Sequence, residues 1–503
     1  MKKNSSALCG ALALAVFLPL APLVGAHETY GKGNTDFLPD STGAIEAYNA
    51  NGPIDTNQGA FFQSLGTNGR SCSTCHIAGQ AFGLSAEGVQ SIYRRSRGRD
   101  PLFASVDGAN CPGARAESPE EHSLVLQSAL IRIGMQFPPA PPVSPQFTIS
   151  VVHNPYGCAI SPDPSTGQSD VSVYRRPLPT ANLSFLSAIM FDGRETIAPL
   201  TGTSTFLTNL IADLTHQATD ATLTHAQALE PPTATQLAQI VDFELGLFAA
   251  QGFDLRAGAL DQHGADGGAV NASLVPYYPG INDALGADPT GASFNANSMS
   301  LFAAWGDLPE DSHAFGAERN AARREIAAGE TLFNSLPITI TNVRGLNDNA
   351  ALGKPTSFVG HCTTCHDAPN IGDHSLPLPL DIGTSHSARP GLESDPAIAA
   401  ALAQLSMPDL PVYRINGCPN PFNAGQPASF FTTDPGKALI TGNCGDLNRV
   451  KGPILRGLAA RAPYFHNGAA ASLLEVVNFY NKRFQMNLTA DQKRELVSFL
   501  NAL

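Results

Sequence analysis

The alternation of apolar and polar positions along this chain predicts four helices. They are expected at residues 235–250, 318–334, 472–482 and 489–503. In the first of these segments Leu237, Ile240 and Val241 begin an apolar stripe at helical spacing, which continues through Leu245 and Leu247. Each such stripe needs a partner surface, so the four helices are expected to pack against other parts of the protein.

The last two helices also carry start signals. Ser472 and Thr489 are each followed three residues later by a side chain that can close a capping box, Glu475 and Gln492 respectively. Within the first of the two, Leu473, Val477 and Tyr480 lie at i, i+4 and i+7 and share one face.

Between these helices the chain is rich in turn-forming residues. It has 46 glycines, 39 prolines and only 15% charged residues. The remainder of the chain is therefore expected to consist largely of long loops.

One apolar run does not belong to the folded protein. Residues 7–23 follow two lysines and precede Val24-Gly25-Ala26, a small-residue cleavage site, which together are typical of a secretory signal. We expect residues 1–26 to be removed, leaving an exported, periplasmic protein that does not span a membrane. No later segment is long and apolar enough to cross a bilayer.

Two pentads, Cys72-Ser73-Thr74-Cys75-His76 and Cys362-Thr363-Thr364-Cys365-His366, carry the chemistry. Two thiols three residues apart can both form thioethers with the vinyl groups of one haem, and the following histidine then lies under the iron. A zinc ribbon is the alternative for paired Cys-x-x-Cys motifs, but the pairs are far apart and each is followed at once by histidine. The pentads predict two covalently bound haem c groups, with His76 and His366 as proximal iron ligands.

Four other cysteines, Cys111, Cys158, Cys418 and Cys444, remain once the haem cysteines and Cys9 of the signal are set aside. In an oxidising compartment they can form two disulfides. Local pairing, Cys111 with Cys158 and Cys418 with Cys444, is the favoured one of three possible connectivities.

The formal net charge of −13 makes a nucleic-acid partner improbable. The pentads divide the mature chain into an N-terminal unit, residues 27–318, and a C-terminal unit, residues 319–503. A helix before the second pentad and another at the C-terminus are typical of cytochrome c. The predicted fold is mainly α, with two cytochrome c-like haem domains joined and elaborated by long irregular loops.

Several stretches resemble one family, the bacterial di-haem cytochrome c peroxidases and the related MauG-type enzymes. They are RPLPTANL at 176–183, MFDGRE at 190–195, ILRGL at 454–458, APYFHNG at 462–468 and LEVVNFYN at 474–481. The resemblance implies that peroxide is cleaved at the haem of His76. It implies that the haem of His366 relays electrons or stores oxidising equivalents.

The same resemblance places Tyr480 at the position of the sixth ligand of the second haem. Peroxidases of the family have methionine there and MauG-type enzymes have tyrosine. A phenolate favours ferric and higher-valent iron, whereas methionine raises the potential. Tyr480 is therefore the expected ligand, with Met407 and Met486 as competitors and a purely packed aromatic as the structural alternative.

Peroxide cleavage also needs a base beside an open iron. Gln217 matches the family's distal glutamine, but no carboxylate matches its distal glutamate, whose place falls near His225 or Gln227. His225 is the first candidate for proton transfer and Asp220 the second. A solvated helix start without catalytic function is the structural alternative for this segment.

The chain differs from the family at the distal histidine and at the tryptophan between the haems, and the resemblance also implies a calcium site. In resting peroxidases of the family a distal histidine blocks the first haem. No histidine lies between His76 and His122 here, so the first haem is expected to be open in the resting protein. Phe191 stands where the family has tryptophan between the haems. The family's calcium ion would be held here by the backbone carbonyls of Arg461 and Pro463.

The leading hypothesis is a periplasmic oxidoreductase that reduces hydrogen peroxide and takes its electrons from a small cytochrome or a cupredoxin. A MauG-like oxidase of a protein or organic substrate is the second hypothesis. The third is an electron-transfer cytochrome without a substrate of its own.

Overall fold

The computed structural model describes residues 34–115, 117–139, 144–163, 167–309, 314–422 and 429–503. The predicted signal, residues 1–26, lies outside them. Among the described residues the helices are α1 (Ala86–Ser96), α2 (Ser123–Ser128), α3 (Phe206–Thr224), α4 (Ala234–Gly246), α5 (Ala269–Ala272), α6 (Ala314–Ser335), α7 (Pro396–Leu402), α8 (Ala438–Thr441), α9 (Leu473–Arg483) and α10 (Ala490–Asn501).

The described strands are short. They are β1 (Thr35–Pro39), β2 (Gly43–Asn49), β3 (Ile131–Phe137), β4 (Thr148–His153), β5 (Ile160–Asp163), β6 (Gln168–Arg175), β7 (Leu247–Asp254), β8 (Gly258–Ala259), β9 (Ile338–Ile340), β10 (Phe358–Gly360), β11 (Val412–Asn416) and β12 (Ser429–Thr432). They form antiparallel sheets in the orders β1-β2-β7-β8, β3-β6-β5, β12-β11-β4 and β10-β9.

The expectation of a mainly α fold is wrong, because the structure is mixed, with 30% helix and 16% strand. The segment expected as one helix over residues 235–250 shows why. Helix α4 ends at Gly246, and the apolar run that begins at Leu247 continues as strand β7. Residues 247–252 are buried on both faces of β7, and such a continuous apolar run fits a buried strand as well as a helix.

The other three predicted helices are confirmed. Helix α6 covers the segment at 318–334, and α9 and α10 begin after Ser472 and Thr489, whose side chains accept the backbone N–H groups of Glu475 and Gln492. Of these two residues, Thr489 forms a complete capping box and Ser472 does not. The carboxylate of Glu475 instead accepts from the backbone N–H groups of Ala471 and Ser406, both at 2.9 Å.

Helices α6 and α10 pack together in the largest hydrophobic cluster, around Phe302, Trp305 and Phe499. They cross closely at Gly329, where a Cβ atom would lie 2.0 Å from the carbonyl oxygen of Glu495. Only glycine permits this approach.

The two sequence units share structure. Strand β4 of the N-terminal unit pairs with β11 of the C-terminal unit. The boundary between two haem domains near residue 318 therefore stays a prediction.

Both expected disulfides are present, Cys111–Cys158 and Cys418–Cys444, with Cα–Cα distances of 5.8 and 5.3 Å. None of the described helices combines the length and apolar character needed to cross a membrane.

Candidate functional site

The two pentads have the same local conformation. Each begins with a short 3-10 turn, Cys72–Thr74 or Cys362–Thr364. In each, the backbone N–H of the histidine donates to the carbonyl of the first cysteine at 3.1 Å. The threonine between the cysteines accepts the backbone N–H of the residue before the pentad, at 3.1 Å in the first and 2.9 Å in the second. Two thiols and an imidazole are thus fixed on one compact turn at each site.

The pentad cysteines take part in no disulfide, unlike Cys111, Cys158, Cys418 and Cys444. Burial raises the pKa of Cys72 and of Cys362 to about 12. In the protein without a bound group, both thiols are therefore protonated at neutral pH.

Both pentad histidines are oriented through Nδ1. His76 donates to the carbonyl of Phe82 at 3.3 Å and His366 to that of Gly372 at 2.6 Å, six residues further along in each case. Burial lowers the pKa of His76 to about 4 and also lowers that of His366. Each imidazole is therefore neutral, and donation from Nδ1 leaves Nε2 as the unprotonated nitrogen, the form that binds a metal ion.

Each pentad opens into its own cavity. The first, lined by Cys72, Cys75 and His76, has about 1620 Å³ of empty space including its mouth. The second, lined by Cys362, Cys365 and His366, has about 1820 Å³.

One face of helix α3 forms a wall of the first cavity. Its residues are spaced at helical intervals: Leu214, Gln217, Ala218, Ala221, Thr222 and His225. Gln217 and His225, two of the four catalytic candidates, therefore lie on the same cavity wall.

The other two candidates do not line this cavity. Asp220 is exposed on another face of α3. Gln227 is exposed beyond the end of the helix, where its carbonyl and side-chain oxygens accept from Thr67 and Asn68. Gln227 thereby holds the segment that leads into the first pentad.

His225 is bonded to a buried carboxylate. Its Nδ1 forms a short hydrogen bond to Asp107, whose other oxygen accepts from Arg70. Burial alone would raise the pKa of Asp107, but the His225 hydrogen bond and the Arg70 charge outweigh it and hold that pKa below its usual value. An ionised Asp107 fixes the proton of His225 on Nδ1, so Nε2 is the basic nitrogen.

Arg70 completes this arrangement. It is 3% exposed and donates to the carbonyls of Pro101 and Leu102 at 2.8 and 2.9 Å, and to that of His225 at 3.2 Å. Neither Arg70 nor Asp107 was among the residues expected from the sequence. Arg70 stands two residues before Cys72, which is the one local signal that could have indicated it.

Phe191 lies between the two cavities and lines both. Its ring contacts that of His466, which lines the second cavity, with centroids 5.9 Å apart. The neighbouring Asp192 is buried and forms a salt bridge with Arg175. Arg175 also binds Asp434 through two hydrogen bonds of 2.7 and 2.9 Å. The residues that follow the first pentad and those that follow the second are thus joined by a buried ionic network.

The chain is similar in sequence to known peroxidases. Over 156 residues the chain is 31% identical to a cytochrome-c peroxidase of Denitromonas iodatirespirans, covering 29% of this chain and 36% of that protein. Over 93 residues it is 34% identical to the cytochrome c551 peroxidase of Nitrosomonas europaea, covering 18% of this chain and 26% of that protein. The chain is a distant homologue of bacterial di-haem cytochrome c peroxidases.

The homology is partial, since the chain matches little more than a third of the first relative's length. No protein-family model matches the chain. A solved MauG-like protein associated with microbial copper homeostasis aligns over 69% of this chain and 79% of its own, at 14% identity and a TM-score of 0.29. The expected resemblance to the peroxidase family is confirmed by the sequence matches.

Homology to these peroxidases implies haem c as cofactor, and the cavities of this peroxidase homologue fit that group. Arg176, Lys451 and Arg461 line both cavities, and Arg456 lines the first. Burial lowers their pKa values, to about 9 for Arg176, 8 for Lys451, and 10 for Arg461 and Arg456.

Two of these buried cations have a donor without a hydrogen-bond partner among the described residues, the Nε of Arg176 and the Nη1 of Arg456. Buried charges are normally paired. The propionates of haem are anions of the kind that these donors require, and they would lie along the cavity walls.

In the second cavity Tyr480 and Met486 line the wall, whereas Met407 does not. Tyr480 packs with Phe465 and Phe479, in a cluster different from that of Phe333, which contacts the His366 ring at 5.9 Å. His366 and Tyr480 thus reach the cavity from different packed regions. Burial, followed by the nearby thiols of Cys365 and Cys362, raises the pKa of Tyr480.

The peroxidase homologue also buries Glu244 in the wall of the first cavity, at 3% exposure and with Oε2 lacking a partner among the described residues. Burial raises its pKa from 4.5 to about 8. The folded protein therefore holds a proton that the unfolded chain releases above about pH 4.5, and this stabilising contribution is lost as the pH rises to about 8.

We expect Glu244→Gln to remove this pH dependence. Between about pH 5 and pH 7.5 the wild-type free energy of unfolding should fall relative to that of the variant by on the order of 3 kcal/mol. Guanidinium titrations of both holoproteins at the two pH values measure the difference. Parallel pH profiles of the two proteins would show that Glu244 is ionised in the folded state.

Proposed function

We propose that this protein is a periplasmic haem c oxidoreductase that reduces hydrogen peroxide, with haem groups attached at both pentads. The observation that carries the proposal is the His225–Asp107 pair, which lies in the wall of the cavity that His76 enters. The reduction of hydrogen peroxide follows H₂O₂ + 2 e⁻ + 2 H⁺ → 2 H₂O. Side chains of this cavity are proposed to transfer the protons.

Cys72, Cys75 and His76 would hold the first haem, and Cys362, Cys365 and His366 the second. When bound, the first haem supplies an iron centre that exchanges electrons with peroxide.

His225 is the proposed proton carrier. Its Nε2 takes a proton from one peroxide oxygen and returns it to the departing oxygen. Asp107 is a positioning residue, because its carboxylate keeps the Nδ1 proton in place and stabilises the charged imidazole. Gln217, about two helical turns before His225 on the same wall, is proposed to orient the peroxide. Asp220 and Gln227 receive no role in proton transfer because both are exposed away from the cavity lining.

The second haem is proposed to pass electrons to the first. Phe191 lines both cavities and contacts His466. This pair of aromatic rings is the proposed route for electrons between the two haems. A small cytochrome or a cupredoxin is the proposed electron donor. The carbonyls of Arg461 and Pro463 remain the proposed positions for one calcium ion.

Tyr480 is the proposed sixth ligand of the iron at His366. Tyrosine binds iron as phenolate, which favours the ferric state. Because burial raises the pKa of Tyr480, loss of its proton depends on the charge of the iron.

We expect Tyr480→Phe to convert the ferric iron at His366 from six-coordinate to five-coordinate and to raise its midpoint potential. Electronic absorption, EPR and a redox titration of the holoprotein measure both effects. Met486→Leu is the control, since Met486 lines the same cavity. If Met486→Leu causes the change and Tyr480→Phe does not, methionine is the ligand.

The proposed activity is tested by mixing the ferric holoprotein with hydrogen peroxide and then with a reduced small cytochrome. We expect a high-spin ferric signal that peroxide converts, followed by oxidation of the cytochrome. Two low-spin haems inert to peroxide would support the electron-transfer cytochrome instead. A peroxide reaction that oxidises no cytochrome but does oxidise an organic or protein substrate would support the MauG-like alternative.

A further inference from the structure

A group of metal-ligating side chains lies outside both pentads. One ligand atom from each of Asp283, Asp367 and His374 lies within 4.8 Å of the other two. All three residues are buried: Asp283 is 1% exposed, Asp367 0% and His374 4%. We propose that these three residues form a binding site for a divalent transition-metal cation.

Two atoms of this group lack the partner that a buried polar atom normally has. Oδ1 of Asp283, which lines neither haem cavity, has no hydrogen-bond partner among the described residues, and neither has Nε2 of His374, a residue that also lines the second cavity. An unsatisfied buried polar atom carries a desolvation penalty of roughly 1–3 kcal/mol, more when charged. A bound cation would satisfy a carboxylate oxygen directly.

The remaining atoms of the group are held in place by the fold. Oδ2 of Asp283 accepts the backbone N–H groups of Leu285 and Ala287 at 3.1 and 2.7 Å. Asp367 accepts Nδ1 of His374 at 2.9 Å and the backbone N–H of Ser375 at 2.7 Å. The site is therefore arranged before any ion binds, which lowers the entropic cost of binding.

The loop that carries Asp283 is tied to the loop that carries the other two residues. Gly280 donates its N–H to the carbonyl of Ser375 at 2.9 Å. The side chain of Asn282 donates to the carbonyl of Asp367 at 3.0 Å. A cation here would join the N-terminal sequence unit to the segment that directly follows His366.

The charge around the group also calls for a cation. A third carboxylate, Asp373, is buried beside Lys451, whose charge acts on it directly. Three buried carboxylates thus face one lysine and a histidine.

The ligand types favour one class of ion. Two carboxylates and an imidazole suit Zn²⁺ or Mn²⁺, and of the two Zn²⁺ binds more tightly to a given site. Calcium requires about six to eight oxygen ligands, which this group does not supply. The site is also distinct from the proposed calcium position, which uses the carbonyls of Arg461 and Pro463.

The test begins with the holoprotein, freed of loosely bound metal by a chelator and titrated calorimetrically with Zn²⁺. We expect one equivalent of Zn²⁺ to bind to the wild type, and Asp283→Asn to weaken binding by at least about 100-fold. Asn can still accept the two backbone N–H groups at residues 285 and 287, so the loop should keep its conformation.

Asp213→Asn is the matched control. Asp213 is also buried, one of its oxygens accepts two backbone N–H groups, at 3.0 and 2.7 Å, and its other oxygen has no partner among the described residues. It belongs to no cluster of metal-ligating side chains among the described residues. We expect this variant to bind Zn²⁺ as the wild type does.

A second measurement needs no variant. Mn²⁺ bound to the wild-type holoprotein should show coupling to one histidine nitrogen in pulsed EPR. The proposal is overturned if the wild type binds neither ion, if Asp283→Asn binds Zn²⁺ as well as Asp213→Asn does, or if bound Mn²⁺ shows no nitrogen coupling.

Discussion

Replacing His225 with alanine is expected to lower kcat/KM for hydrogen peroxide by about 10²–10⁴-fold, the usual contribution of a positioned acid–base group. The physical reason is that Nε2 of His225 is the basic atom on the wall of the first cavity, with its tautomer fixed by Asp107. Stopped-flow absorption of the ferric holoprotein with peroxide measures the bimolecular rate constant directly.

His216→Ala is the matched control for this prediction. His216 also lies on helix α3, but it is exposed and bonds to Glu195 at 2.8 Å instead of lining the cavity. Its replacement should leave the rate constant unchanged. A His225→Ala variant that reacts with peroxide at the wild-type rate would contradict the proposed role.

The ferric spectrum of His225→Ala also tests whether His225 is an iron ligand instead of a proton carrier. His225 lines the cavity that His76 enters, so its Nε2 could also ligate the iron. In that case the wild type would be low-spin at this iron and His225→Ala would convert it to high-spin. That outcome would make the protein an electron-transfer cytochrome, whereas a high-spin wild type is expected for an enzyme.

The parts of this structure that the sequence predicted correctly are local. Helices α9 and α10 are marked by Ser472 and Thr489, whose capping bonds span only three residues. The two disulfides join cysteines 47 and 26 residues apart, which are the near pairs among the four. Short-range signals of this kind depend on few other contacts.

The carboxylate that positions His225 could not be found in the same way. Asp107 lies 118 positions from His225, on a loop without any motif. By resemblance to the family, the distal carboxylate falls near residues 225–227, where no carboxylate of this chain matches it. The fold instead brings Asp107 and Arg70 to the end of α3 from the loops around the first pentad.

Strand β7 illustrates a different limit. The run that starts at Leu247 fits a helix and a buried strand equally well by its apolar pattern. What decides between them is pairing with β2, from Asn49 to Gly43 some two hundred residues earlier in the chain. The cluster of Asp283, Asp367 and His374 is likewise assembled from segments that carry no joint sequence signature.

Removing the thiols of one pentad at a time is expected to impair different parts of the reaction, and it therefore tests whether the two sites have different functions. The double variant Cys72→Ser, Cys75→Ser should carry one covalent haem and lose its reaction with peroxide. The double variant Cys362→Ser, Cys365→Ser should also carry one haem and keep that reaction, but it should no longer oxidise a reduced cytochrome. Pyridine haemochrome spectra count the haems, and stopped-flow absorption follows the reaction.

The control for these variants is Cys111→Ser, Cys158→Ser, which also removes two cysteines but opens a disulfide instead of a haem site. It should retain two haems, since neither cysteine lines a cavity. The physical basis of the proposed asymmetry is that Tyr480 and Met486, the candidate sixth ligands of the iron at His366, line the second cavity and not the first, whereas His225, the proposed proton carrier, lines the first and not the second. If loss of the second pentad abolished the peroxide reaction and loss of the first spared it, peroxide would be cleaved at His366, and His225 could not be its proton carrier.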